Sequence, residues 1–315
     1  MAMPLSHARA VVLMVLVTLL WSIAGVVTRQ VQGVSGSELS FWRSGVNALA
    51  LVVLLVAWRG RDAVLRTLRD GGVPLWVSGL CWATMFSAFM LALGLTSVAN
   101  VLVTMALAPL FTALLSRVVL RQPLAARTWW AVLLAGVGIV WMQAQGVAAG
   151  ESRHLMGMAV ALGVPIAAAV NWTLIAHLRA RHGETGAPRE DLDMLCGVLL
   201  GAVISAVLML PLAWPLHAAG PDIGWMALLG VFQLAVPCLL AVVAARRLAP
   251  AEVSLLALLE VLFGVAWAWW GGGETPTGAT LAGGTLVLLA LAGNEALALR
   301  GRAQRADTSP VQPRG

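Results

Sequence analysis

Three observations predict an all-α polytopic membrane protein, with ten transmembrane helices built as two inverted five-helix repeats. The 315 residues are 60% hydrophobic and 11% charged, with a mean hydropathy of +0.89, whereas a soluble globular chain carries roughly 25% charged residues. The apolar residues gather in runs long enough to cross a bilayer, which takes roughly 20 residues each. The basic residues fall almost entirely in every second loop. This composition excludes a soluble domain, and it excludes a disordered chain because disorder needs low hydrophobicity and high charge.

Runs bounded by charge, Gly or Pro cover residues 11–29, 39–58, 73–95, 99–120, 128–145, 156–178, 192–214, 223–245, 252–270 and 277–299. The first is preceded by Arg9 and lacks a small-x-small cleavage site, so it is expected to stay as a helix rather than be removed as a signal peptide. The second encloses Arg43. The fourth, sixth and eighth contain Pro109, Pro165 and Pro237, where a missing N–H and a ring clash predict kinks. Pro74 and Pro276 open the third and tenth, as prolines do in first turns. The ninth carries Glu260 near its middle. The expected organisation is a cytoplasmic N-terminus (1–10), a first five-helix unit (11–145), an outer connecting loop (146–155), a second five-helix unit (156–299) and a disordered cytoplasmic tail (300–315).

All 20 basic residues are arginine. With ten spans, 17 of them lie in the loops and termini of one face, Arg29 and Arg153 lie on the other, and Arg43 is within a span. One span too many or too few would move every later loop to the wrong face. The asymmetry therefore supports ten crossings with both termini cytoplasmic, since arginine-rich loops stay inside. It also explains the net charge of +6 and the pI near 11.1 without a nucleic-acid partner. Trp58, Trp76, Trp129, Trp214, Trp225 and Trp270 sit near predicted helix ends, where an indole suits the headgroup layer.

Cys81, Cys196 and Cys238 are scattered through apolar runs with no CxxC, which reads as packing rather than a disulfide framework or metal site. No cofactor is expected.

The segment 106–128 aligns with 258–280 at an offset of 152, pairing Leu107 with Leu259, Leu110 with Leu262 and Thr128 with Thr280. Trp21-Ser22 and Trp172-Thr173 align at 151. Two units of five crossings each must enter the membrane from opposite sides. Such inverted repeats build transporters whose substrate site lies near the midplane between the halves.

The stretch ALGLTSVANVLVTMALAPLFTALLSRVVLRQPLAARTWWAVLLAGVGIVWM (92–142) resembles the end of an EamA-like domain of the drug/metabolite transporter superfamily. RRLAPAEVSLLALLEVLFGVAWAWW with the following GGETPTGATLAGGTLVLLA (246–290) resembles the end of a second. LWS at Trp21 and FWR at Arg43 are similar to the family's first two helices. The resemblance implies a ten-helix exporter of small metabolites or drugs in the bacterial cytoplasmic (inner) membrane, as a monomer or homodimer.

Candidate site residues follow from the cost of polarity in lipid. A central acid costs roughly 2.5 to 3.5 kcal/mol, so Glu260 should face the bundle interior, either as a structural partner or as a group that exchanges a proton between states. Arg43, roughly 7 Å from the outer end of its helix at 1.5 Å per residue, has three readings: it snorkels outward, it pairs with Glu260, or it anchors a substrate carboxylate. Asn47, Asn100, Asn171 and Gln233 are interhelical hydrogen-bonding groups or substrate contacts. Trp21 and Trp172 lie deep enough to line a cavity, or they simply pack. The partners expected are a small amino-acid-like or drug-like molecule, protons if transport is coupled, and lipid.

An intramembrane enzyme is the competing class. Its nucleophile string, Gly33-Val34-Ser35-Gly36, lies in a loop and has no mid-membrane histidine to act as base. A passive channel or facilitator would differ in showing flux indifferent to a proton gradient.

Overall fold

A computed structural model describes residues 6–31, 33–119, 126–148, 152–183, 190–245, 256–257, 259–271, 273 and 275–307. Among these there is no strand. The helices are α1 (His7–Ser22), α2 (Ala24–Thr28), α3 (Gly36–Arg59), α4 (Arg61–Asp70), α5 (Gly72–Leu93), α6 (Val98–Met105), α7 (Ala108–Val119), α8 (Ala126–Ala148), α9 (Ser152–Gly183), α10 (Glu190–Ala213) and α11 (Gly220–Leu228). A π-helical segment (Leu229–Ala235) follows, then α12 (Val236–Ala245), α13 (Leu259–Trp270) and α14 (Gly278–Asp307).

Seven helical stretches are long and apolar enough to cross a membrane: His7–Thr28, Gly36–Arg59, Gly72–Leu93, Val98–Val119, Ser152–Leu174, Leu195–Ala213 and Gly220–Ala241. The other three expected spans are represented by the shorter apolar stretches Trp129–Gly138, Leu259–Trp270 and Gly278–Asn294. Part of the ninth run, 252–255 and 258, lies outside the described residues.

Local chemistry sets several boundaries. Ser6, Ser35 and Ser97 cap α1, α3 and α6 by accepting from the N–H groups of Arg9, Glu38 and Asn100, as N-cap serines do. Gly60, at φ +83°, turns the chain from α3 into α4, the left-handed region that glycine enters without penalty. Helix α4 was not expected. It is short and charged, with Val64 buried on its inner side.

The backbone around the three prolines expected to kink their helices differs from one to the next. The fourth span breaks at Ala106–Leu107, just before Pro109. The eighth span widens into the π segment just before Pro237. By contrast, α9 continues through Pro165 as one helix.

Two expected boundaries also differ. Of the expected tail, residues 300–307 continue the last helix, since residues 295–307 are rich in Ala, Leu and Arg, strong helix formers, and proline is absent until 310; residues 308–315 lie outside the described residues. The connecting loop is shorter than 146–155, since α8 runs to Ala148 and α9 begins at Ser152.

The packing is reciprocal between the two parts of the chain. Helix α1 lies against α12 and α13, while α9 lies against α5, α6 and α7; α3 pairs with α10, and α8 with α14. Numbered by the expected spans, the first of each part thus meets the third and fourth of the other, second meets second, and fifth meets fifth. Apolar side chains face outward, and all six tryptophans expected at helix ends are exposed.

One end of the bundle is tied by polar contacts. Arg29 donates to the Thr96 carbonyl (3.3 Å), Arg153 to the Gly94 carbonyl (3.0 Å), and Thr280 Oγ1 to Asn100 Oδ1 (3.3 Å). Glu38 Oε1 accepts from the backbone N–H groups of His217 (2.9 Å) and Ala218 (2.8 Å).

Candidate functional site

Helix α3 carries Ser40, Arg43, Ser44 and Asn47 at i, i+3, i+4 and i+7, which places them on one face. All four are buried, as polar groups on a lipid-immersed helix must be. Ser205 of α10 meets this stripe: its hydroxyl lies 2.9 Å from Ser44 Oγ, 2.9 Å from Ser87 Oγ of α5 and 3.4 Å from Ser40 Oγ.

Arg43 is 1% exposed. Its guanidinium donates to the Phe86 carbonyl (2.8 Å) and to Gln233 Oε1 (3.1 Å). It lies 5.5 Å from the ring centre of Phe89 and 5.9 Å from that of Phe86, within cation–π range. Its Nε–H has no partner among the described residues. Arg43 therefore does not snorkel, and no ion pair joins it to Glu260 among the described residues.

Gln233 reaches Arg43 because of the π segment. Pro237 has no N–H, and its ring would crowd the carbonyl four residues earlier, that of Gln233. The backbone widens instead, so that the Val236 N–H bonds the Val231 carbonyl. Such bulges recur at functional sites. Gly230 allows the close approach: a Cβ there would lie 2.8 Å from the Arg43 carbonyl oxygen and 3.0 Å from the Asn47 nitrogen. The other end of the Gln233 amide donates to the Trp21 carbonyl (3.4 Å), where α1 gives way to α2. Trp21 thus contributes its backbone here. Its neighbour Ser22 accepts from the Trp267 indole at 3.1 Å.

Glu260 is half-buried at the start of α13, with no hydrogen bond or ion pair among the described residues. The buried Cys238 thiol of α12 lies within electrostatic reach of both Arg43 and Glu260, more strongly of the former.

The remaining candidates are distributed elsewhere. Asn47 is buried one turn from Arg43, with neither amide atom partnered among the described residues. Asn100 belongs to the tied end, with its Nδ2 near Thr96 Oγ1 (3.4 Å) and His154 Nε2 (3.3 Å), while His154 Nδ1 lies 2.8 Å from Thr96 Oγ1. Asn171 joins α9 to α5 by accepting from Ser78 Oγ at 2.7 Å. Trp172 is 42% exposed and packs edge-to-face with Trp82 at 6.4 Å; it faces outward, away from the polar centre, because its helix turns Asn171 inward instead. Sequence patterns gave no sign of the serine cluster, of Phe86 and Phe89, or of Glu38. Isolated serines and phenylalanines are ordinary in apolar helices, and Glu38 sits beside a cap.

The polar centre draws on both parts of the chain, and each part matches the same family. The profile of the EamA-like transporter family fits residues 8–143 and again 155–294. The chain belongs to the EamA-like transporter family. Among curated relatives of this EamA protein, the uncharacterized transporter YyaM of Bacillus subtilis (strain 168) is 26% identical over 196 residues, 62% of either chain; the match thus spans less than two thirds of that relative. The pseudopaline exporter CntI of Pseudomonas aeruginosa (strain UCBPP-PA14) is 23% identical over 287 residues, covering 89% of this chain and 93% of that one. A solved crystal structure superposes with a TM-score of 0.62 at 20% identity, over 95% of this chain and 100% of the other, a likeness of fold.

Proposed function

We infer that this EamA protein is a secondary transporter that exports a small, amino-acid-like metabolite or a drug by alternating access. It would have ten transmembrane helices in two inverted five-helix repeats, in a bacterial cytoplasmic (inner) membrane with both termini cytoplasmic. The observation that carries this is the polar centre built across the repeats: Arg43 and Phe86 from the first, Gln233 from the second. A transporter needs its binding groups on both sides of the moving interface. The reciprocal packing supports the repeats. Export is favoured by the name of CntI, though its cargo is that protein's own. Glu260, close to this centre, is the candidate proton-coupling or counter-ion residue, and the protein acts as a monomer or homodimer.

The test is comparative metabolite and toxicity profiling of cells with and without the protein, followed by flux in proteoliposomes with and without a pH gradient. Active efflux that collapses with the gradient is expected. In Glu260→Gln the protein should insert at normal levels and lose gradient-driven efflux; wild-type efflux in that variant removes Glu260 from the mechanism. Flux indifferent to the gradient makes the protein a facilitator.

A further inference from the structure

Arg43 is a cation at the centre of the bundle whose two observed acceptors, the Gln233 amide oxygen and the Phe86 carbonyl, are both neutral. An arginine side chain keeps its charge, and among the described residues no carboxylate forms an ion pair with it; a buried charge without a directly paired counter-charge is among the costliest arrangements in a protein. Nearby hydrogen-bonding capacity is also left over. Arg43 Nε, both amide atoms of Asn47 and the Trp42 indole nitrogen are buried and have no partner among the described residues, although buried polar atoms are ordinarily satisfied. Asn47 is one helical turn from Arg43 on the same face of α3.

The missing group must bring negative charge and acceptors. The free Nε–H lies on the side edge of the guanidinium, one of the edges that match the two oxygens of a carboxylate. Phe86 and Phe89 lie against the planar cation. Among the described residues the site offers a single positive charge, which suits a singly charged planar anion better than a phosphate.

Resting on the transporter assignment above, we propose that Arg43 docks the carboxylate of the transported molecule and that Gln233 Oε1 stands in for that carboxylate in the empty site. The placeholder has a consequence for transport. The same amide holds the Trp21 carbonyl through its Nε2, so a substrate that displaces Oε1 from Arg43 releases Gln233 and loosens a link between the π segment of one repeat and the broken first helix of the other. Occupancy at Arg43 thereby reaches the interface that must move.

The experiment compares thermal unfolding of the purified full-length protein, its Gln233→Glu and Gln233→Ala variants, and Gln233→Glu combined with Arg43→Gln. Acetate, acetamide, phosphate and chloride are added at equal ionic strength. Gln233→Glu carries its own carboxylate to Arg43, so its melting temperature should rise by several degrees, and Arg43→Gln should erase that gain. Gln233→Ala should melt below wild type and recover in acetate but not in acetamide or chloride. A Gln233→Glu protein that melts at or below wild type overturns the proposal, as does equal recovery of Gln233→Ala by chloride or acetamide. Stronger recovery in phosphate than in acetate overturns the carboxylate in favour of a phosphate ligand. The two inferences fail separately: the expected melting pattern without flux in proteoliposomes refutes the transporter and keeps the anion site, whereas flux of a molecule lacking a carboxylate, unchanged in Gln233→Glu, does the reverse.

Discussion

Glu38 shows how much one buried side chain can organise. It is 1% exposed, and a single oxygen, Oε1, accepts from two consecutive backbone N–H groups, those of His217 and Ala218. This fixes the connection between α10 and α11 against the start of α3. Replacing it with alanine strands two backbone donors, and an unsatisfied buried group costs about 1–3 kcal/mol. Glu38→Ala should therefore lower the melting temperature of the purified protein clearly more than Glu38→Gln, which keeps an acceptor oxygen. Little of this was legible in the sequence. An acid in the first turn beside Ser35 is explained locally by the positive end of a helix, and no spacing reveals a partner 179 residues away. Arg43 was legible for the opposite reason, because a charge inside an apolar run has no local explanation. Its partners were not, since the choice between Glu260 and Gln233 depends on how α3 faces the π segment.

Among the helices, three prolines met three different fates, which marks the limit of reading backbone from sequence. Each removes one N–H, but neighbours decide how the loss is absorbed. Before Pro109 the helix breaks into α6 and α7, before Pro237 it widens into the π segment, and at Pro165 α9 continues. The widening at Pro237 matters for the candidate site because Gln233 lies inside it. Pro237→Ala restores an N–H at that position and removes the ring that crowds the Gln233 carbonyl. The π segment should then relax to α-helix and turn Gln233 away from Arg43. Loss of a hydrogen bond to a charged group is worth about 1.5–3 kcal/mol, so transport by Pro237→Ala should fall about tenfold or more while the protein still inserts. Pro211→Ala, at an exposed position where α10 is already continuous, is the control expected to leave transport unchanged. Equal transport in the two variants would show that the bulge has no part in function.

For the whole molecule, the arginine distribution and the polar contacts single out the same set of loops. The positive-inside rule needs only the arginines, and it assigns the loops near residues 30, 95, 150, 216 and 275 to the outer face. The polar contacts of the tied end join these same regions: Arg29 with Thr96, Arg153 with Gly94, Glu38 with His217, and Asn100 with Thr280. The repeat was legible through its constant offset, yet the reciprocal packing of its halves was not, because apolar runs do not specify which neighbour each face chooses. The proposed ten-span arrangement requires five crossings between the exposed positions Arg66 and His217, one of them by the short apolar stretch Trp129–Gly138. In a background where the buried Cys81, Cys196 and Cys238 are replaced by alanine, His217→Cys should react with a membrane-impermeant maleimide on intact cells. Arg66→Cys should react only after permeabilisation. If Trp129–Gly138 fails to cross, the chain passes four times, both cysteines lie on one face, and they label together. Opposite labelling with Arg66→Cys reactive from outside would retain the odd number of crossings and reverse the orientation, against the positive-inside reading of the arginines.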